Sequence, residues 1–438
     1  MTLKNEKNLS PHELWPVIRS AGGIHRWTEA RLKEENLWVD PLDATLMSAD
    51  ELSAYKRRLK AQAAELVVLR RAAWEAYRAT HIVHLGETIW WNDEADTDRF
   101  DHPQGEERVA RLELPVLKKP EDLANALDTT IPGLRWLSFH REAAEFIHYT
   151  PFEIPKRSGG TRQIWAPMPQ LKAAQRWILR NIVEGLPVHG AAHGFLPGRS
   201  ILTNAQVHRD SAIVINVDLK DFFPTVTLPR VKGVFRSLGY QEQIATLLAL
   251  LCTEAPRRVA EFEGKTYYLA LGPRCLPQGA PTSPAITNTI CLALDRRLAG
   301  LASALGWRYT RYADDLTFSF PAVSKGEPGI TGLLNALRLI VEEEGFELHP
   351  DKTRIARSGA RQKVTGLVVN GPGTPRVPRN RRRQIRAALH NLQHGRPLKE
   401  GESPETLAGW AAFIYMTDPD EGAALLEALS PYVRAQKG

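Results

Sequence analysis

The sequence predicts an α+β chain, and three stretches carry that prediction. The run Ala212-Ile213-Val214-Ile215-Asn216-Val217-Asp218-Leu219 is almost wholly β-branched or aliphatic, the pattern of a strand buried on both faces. From Trp307 to Phe320, aromatic and polar residues alternate on either side of Ala313-Asp314, which predicts two strands joined by a tight turn. Residues 1–112, by contrast, are polar with helical spacing. Ser10-Pro11-His12-Glu13 and Ser48-Ala49-Asp50-Glu51 each set a capping Ser three residues ahead of a Glu.

The 438 residues suffice for two or three domains, and 43% hydrophobic with 24% charged residues is the balance of a soluble globular protein. A net charge of +7 and a pI near 9.2 favour a polyanionic partner. Cys252, Cys275 and Cys291 have no metal-type spacing and read as reduced thiols of a cytoplasmic protein. The segment Met1–Ser10 is polar, unlike a signal peptide, and no run of about 18 apolar residues predicts a membrane span.

Along the chain, the predicted helix after Ser48 carries Lys56, Arg57, Arg58, Lys60, Arg70, Arg71 and Arg78. Such a face can lie along an RNA backbone or be a solvated, salt-bridged surface, and both readings stand. The acidic, turn-rich stretch from Trp90 to Asp98 reads as a linker, and short helices are expected from Pro120 and Pro132. Alternating runs around Ser158-Gly159-Gly160 predict a β-hairpin over 152–164 with a basic tip. A helix from Leu171 to Val183 is basic on one face. Next, the glycines around Arg199 could seat a phosphate or form a plain loop. Asn204 and His208 fall one turn apart on one helical face. Pro277-Gln278-Gly279 precedes a helix start near Ser283, with the glycine permitting close backbone approach. A helix should end at Gly345, with Lys352 presented after the Pro350-Asp351 turn. Arg376, Arg379, Arg381, Arg382, Arg383 and Arg386 crowd a segment that becomes helical, a density suited to a duplex backbone.

The carboxylates carry the chemistry. Asp314 and Asp315 are adjacent at a hairpin tip and repel each other, and the nearest cation in sequence is Arg311. A solvated acidic turn is the plain reading of such a pair. A third carboxylate, Asp218, at the C-terminal end of an apolar strand changes that balance. Together they supply a two-metal phosphoryl-transfer site, whose ions lie ~3.5–4 Å apart.

Tyr312-Ala313-Asp314-Asp315, Asp218-Leu219-Lys220-Asp221-Phe222-Phe223-Pro224 and the Leu276–Pro284 stretch resemble three motifs of the reverse-transcriptase palm. Asn204-Ala205-Gln206-Val207-His208 and Val364-Thr365-Gly366 resemble two signatures of bacterial retron reverse transcriptases. The likeness runs from about Glu113 to about Pro419 and is greatest to the longer, myxobacterial-type enzymes with an N-terminal extension. It implies a right-hand polymerase: a helical extension (1–112), fingers (113–211), and a palm of antiparallel sheet and helices (212–370) with a fingers insertion at about 228–272. A helical thumb (371–438) would complete it.

The same resemblance implies two Mg²⁺ ions on Asp218, Asp314 and Asp315, with the Leu219 carbonyl as a further ligand. It gives Arg162, helped by Lys156 or Arg157, the nucleotide's triphosphate; Phe223 the place under the sugar that excludes a 2′-hydroxyl; and Gln278 the nucleotide or template base. Lys352 would contact or protonate the phosphates, or be an ordinary exposed lysine. Asn204, His208, Val364, Thr365, Gly366, Arg381, Arg382 and Arg383 would hold RNA or primer. Such an enzyme uses deoxynucleotides to copy its own structured non-coding RNA into a branched, 2′–5′-linked RNA–DNA, in anti-phage defence with a separate effector protein. The rivals are a group II intron or diversity-generating reverse transcriptase, and an RNA-binding scaffold restraining a toxin.

Overall fold

The computed structural model describes residues 9–92, 98–155, 159–324 and 328–435. The chain divides into two compact units, one of residues 1–151, 167–177 and 235–273 and the other of 152–166, 178–234 and 274–438.

In the first unit both expected helix starts are formed. The Ser10 amide donates to Glu13 at 2.8 Å ahead of helix Pro11–Ser20, and the Ser48 amide to Glu51 at 2.8 Å ahead of the 32-residue helix Ala49–Thr80. These bonds satisfy amides that have no carbonyl one turn upstream. Leu69, Ala73 and Ala76 recur at helical spacing on the long helix and close a core with Leu14, Ile18, Trp27 and Leu32 of the two helices before it. Outside that stripe the long helix is exposed. Of its seven basic side chains, only Arg71 has an ion-pair partner among the described residues, Glu75 at 3.3 Å. That removes the salt-bridged face as an account of the others. The unit also holds helix Glu242–Cys252, buried along its length, and an antiparallel sheet in the order Ala143–Ala144, Lys265–Ala270, Arg257–Phe262.

The second unit is organised by a four-stranded antiparallel sheet in the order Arg308–Tyr312, Asp315–Pro321, Ser211–Asp218, Arg354–Arg357. Ser211–Asp218 is an inner strand, which explains its apolar sequence: Ile213, Val214, Ile215 and Val217 are all buried. Tyr312 pairs with Asp315 across the hairpin, so Ala313 and Asp314 make the bend that the alternation predicts. Helices Ser283–Ile290, Leu292–Ala304 and Ile330–Glu343 accompany the sheet, the last stopping beside Gly345 in the left-handed region (φ 73°). A short hairpin, Lys363–Val364 with Leu367–Val368, shares a core with helices Ile201–Val207, Arg379–Gln393, Pro404–Tyr415 and Pro419–Ala435. Among the described residues, no helix is long and apolar enough to cross a membrane.

Candidate active site

The sheet register brings together what the sequence keeps almost a hundred residues apart. Asp218 and Asp315 are direct partners across neighbouring strands, and the Leu219 amide donates to the Asp314 carbonyl at 3.0 Å. Leu219 itself is buried, so this bond fixes the bend to the end of the inner strand.

Three carboxylates here crowd one another. Burial, and then the charge of Asp218, hold the Asp314 carboxyl above its usual range, against the opposing pull of Arg162 and Lys352. Asp315 keeps an exposed edge, yet packing strips water from its carboxyl. With the charges of Asp314 and Asp218 added, it is pushed up to about 7. Lys352 partly offsets this: its Nζ lies 2.7 Å from Asp218 Oδ1. Among the described residues no three His, Cys, Asp or Glu side chains are grouped as a metal cage, and the Lys352 ammonium lies beside Asp218. The donor set nonetheless suits hard divalent ions, being oxygen-only and short of positive charge.

The bend is held from beneath. Ala313 has φ 56°, in the left-handed region that an L residue enters only under constraint. Arg311 does not neutralise Asp314 and Asp315, although it is their nearest cation in sequence. It is fully buried, giving Nε and Nη2 to Asp295 at 2.8 and 2.7 Å, and Nη1 to Asn288 at 3.0 Å and to the Ala313 carbonyl at 3.2 Å. Tyr309 adds its hydroxyl to Asp295 at 2.8 Å, and Asn288 donates to the Gly194 carbonyl at 2.9 Å. A Cβ on Gly194 would lie 2.7 Å from the Ala313 nitrogen, so glycine there lets the loop close on the bend. Sequence reading missed Asp295 and Asn288, and took Gly194 for part of a phosphate seat or plain loop rather than for a support of the bend. The one available signal was a lone Asp on the otherwise apolar side of helix Leu292–Ala304.

The other expected nucleotide contacts fall as follows. Arg162 is exposed on strand Thr161–Pro167, and its charge reaches Asp314. Three residues on, the Trp165 amide donates to the Gln278 carbonyl at 2.8 Å. A Cβ on Gly279 (φ 121°) would sit 2.7 Å from the Trp165 carbonyl, which makes this the close approach the sequence anticipates. Phe223 is half-buried, edge-on to the buried Phe222, and Phe222 stacks on Phe346. Lys156 and Arg157 lie outside the described residues.

The expected RNA contacts need correcting in part. Asn204 and His208 are fully buried and so cannot touch RNA. His208 bonds Ser319 Oγ at 2.8 Å and Thr310 Oγ1 at 2.7 Å, and Asn204 Nδ2 donates to Thr365 Oγ1 at 3.4 Å. The two signature stretches thus meet each other as parts of one packed unit. Val364 is likewise in the core, whereas Gly366 is exposed and Thr365 half-buried. Arg382 is committed to Asp418 at 3.0 Å and to Glu421, and Arg381 lies over the Trp410 ring at 3.9 Å. Arg383 is exposed. Arg199 donates to the Gly190 carbonyl, and Ser200 Oγ accepts the Thr203 amide.

Comparison with known proteins adds an independent line. Residues 154–380 match the family model described as "Reverse transcriptase (RNA-dependent DNA polymerase)". The chain is similar to the retron Mx162 reverse transcriptase of Myxococcus xanthus, 52% identical over 98% of this chain and 91% of that one. It also resembles the retron Mx65 reverse transcriptase of the same organism, at 45% identity over 74% of each chain. With the retron Ec86 reverse transcriptase of Escherichia coli it shares 34% identity over 74% of this chain and 92% of that one.

Proposed function

The chain belongs to the retron reverse transcriptases and is an RNA-directed DNA polymerase, and from that premise we propose that it copies a cognate structured non-coding RNA into branched 2′–5′-linked RNA–DNA for anti-phage defence. As a reverse transcriptase it depends on divalent metal ions, and the oxygen-only donor set favours two Mg²⁺. Asp218, Asp314 and Asp315, with the Leu219 carbonyl, would hold them. When bound, they supply activation of the attacking hydroxyl and charge neutralisation at the leaving pyrophosphate.

The protein's own groups do the rest. In this reading the hairpin of strands Tyr149–Pro155 and Thr161–Pro167 is the fingers element, and Arg162 binds the triphosphate within reach of Asp314's charge. Phe223, braced by Phe222, occupies the space of a 2′-hydroxyl and rejects ribonucleotides by clash. Gln278 lines the nucleotide's seat from a backbone held to the same hairpin. Lys352 steadies Asp218 and places an ammonium donor beside the reacting phosphates. The exposed arginines of helix Arg379–Gln393, Arg383 among them, suit the backbone of the template–primer duplex on a thumb.

The observation that carries this reading is the pairing of Asp218 with Asp315 while Leu219 holds Asp314. Replacing Asp218 or Asp314 with Ala should lower primer extension by about a thousandfold or more, because each loses charge stabilisation worth several kcal/mol, while RNA binding persists. Extension at wild-type rate in either variant removes the assignment. Sequencing the nucleic acid that co-purifies from cells tests the product: a short DNA joined 2′–5′ to RNA supports the retron reading, and bulk cellular RNA alone overturns it.

A further inference from the structure

The N-terminal unit carries a cleft that the polymerase chemistry leaves unused. Its volume is about 540 Å³, and Trp74, Arg78, His81, His84 and Arg135 are among its lining residues. That size is ordinary for a pocket that takes a ligand as large as a nucleotide.

Rings, charge and surroundings point to the same kind of occupant. Trp74 stacks with Tyr77 (5.9 Å, 18°), and Tyr77 with His81 (4.2 Å, 9°), so near-parallel faces climb the end of the long helix to a Trp74 that is 46% exposed. Arg135 is fixed in place: Nε donates to the His84 carbonyl at 2.9 Å, and the guanidinium lies 4.9 Å from the Phe139 ring, which Arg141 also covers at 5.2 Å. Among the described residues, Arg78, Arg135 and Arg141 have no carboxylate partner, and the cleft's Glu75 is turned to Arg71. Burial, then repulsion from Arg78 and Arg141, depresses the Arg135 pKa, as expected where cations gather without an anion. Arg70, Lys60, Arg58, Arg57 and Lys56 continue exposed along the same helix.

We propose that this cleft seats one nucleotide of a single-stranded segment of the RNA that the polymerase carries, its phosphate on Arg78 and Arg135 and its base against Trp74. A free inorganic anion would need the arginines but not the ring ladder. An acidic peptide would leave the flat indole face without a matching partner. A nucleotide uses both, since guanidinium groups bind phosphate in a fork and aromatic faces stack bases of any sequence. The choice of RNA rests on the polymerase reading above.

The test uses the full chain freed of nucleic acid and a fluorescent, thiouridine-bearing single-stranded RNA of about 12 nucleotides, with a thiothymidine DNA of the same sequence as the second arm. Photo-cross-linking and peptide mapping should find RNA adducts on the segment containing Trp74 and Tyr77. Trp74→Ala with Arg78→Glu should remove those adducts and weaken RNA binding by about tenfold. Arg78→Glu alone, at an exposed position, covers the case in which the double variant fails to fold. RNA adducts found only elsewhere, or unchanged affinity in a folded variant, overturn the proposal; adducts here with DNA but not RNA overturn the choice of ligand. Wild-type extension of oligo(dT) on poly(rA), measured alongside, separates the two ideas, because its absence would strike the polymerase reading and not the cleft.

Discussion

At the scale of the residue, Ala313 shows how the site is held. Its left-handed backbone costs an L side chain roughly 1–2 kcal/mol, and such strain persists only where the surroundings enforce it. Arg311 does so by bonding the Ala313 carbonyl while anchored to Asp295. Arg311→Lys keeps the charge near Asp295 but forfeits the fork, and should lower kcat for extension by about tenfold or more with the KM for nucleotide nearly unchanged. Steady-state kinetics on a primed homopolymer check this, and a pure KM effect would contradict it. Phe223 is a second case. Its ring is braced by Phe222, which is itself stacked on Phe346, so the clash proposed for it would be rigid. Phe223→Val should raise ribonucleotide relative to deoxynucleotide incorporation by about tenfold or more, each tenfold being ~1.4 kcal/mol of relieved clash. Competition assays measure the ratio; an unchanged value assigns Phe223 to packing alone.

At the scale of the element, His208 joins the end of helix Ile201–Val207 to both strands of the bend, through Thr310 on one and Ser319 on the other. Burial, with Arg308 and His193 adding, lowers its pKa to about 3, so the folded state holds the ring neutral. The sign follows. The unfolded ring titrates near 6.5 and binds protons that the folded one refuses, so this contribution to stability is complete above about pH 6.5 and is lost as pH falls toward 3. His193, lowered to about 4 by burial and then Arg199, works in the same direction. The raised carboxyls of Asp314 and Asp315 take up protons over the same range and oppose this, so the expectation is a difference: from pH 7 to about pH 4.5 the melting temperature of His208→Asn, which bonds without titrating, should rise relative to that of the wild type. Equal slopes in the two proteins would remove His208 as the cause.

At the scale of the whole molecule, the charge balance suits a polyanion. A net +7 is modest, but among the described residues the exposed basic side chains of the long N-terminal helix, Arg71 apart, have no acidic partner. If exposed lysines and arginines such as these bind RNA backbone, affinity should fall log-linearly with salt. With six or more phosphates neutralised, the loss between about 50 and 200 mM salt is about a thousandfold. Fluorescence anisotropy across that range checks it, and a flat response would mean that RNA is held by shape and stacking.

The sequence by itself determined the local elements and where the acidic tip falls. Apolar runs, alternation and caps act over a few residues, so the inner strand, the bend at Ala313-Asp314 and the Ser10 and Ser48 helix starts were legible from local order alone. The adjacent carboxylates, taken with Asp218 at the end of an apolar strand, likewise pointed to a cation. The tertiary structure alone decided which cation each acid meets and which polar groups face inward. Arg311 lies three residues from Asp314 yet turns down to Asp295, while Lys352 reaches Asp218 across 134 positions. From sequence, Asn204 and His208 share a face that could hold RNA or be structural, and the sheet and the 363–368 hairpin decide it by closing over them. The letter for a buried histidine is the same as for an exposed one, and only the packing of distant segments around it decides whether water, RNA or a serine hydroxyl takes its hydrogen bond.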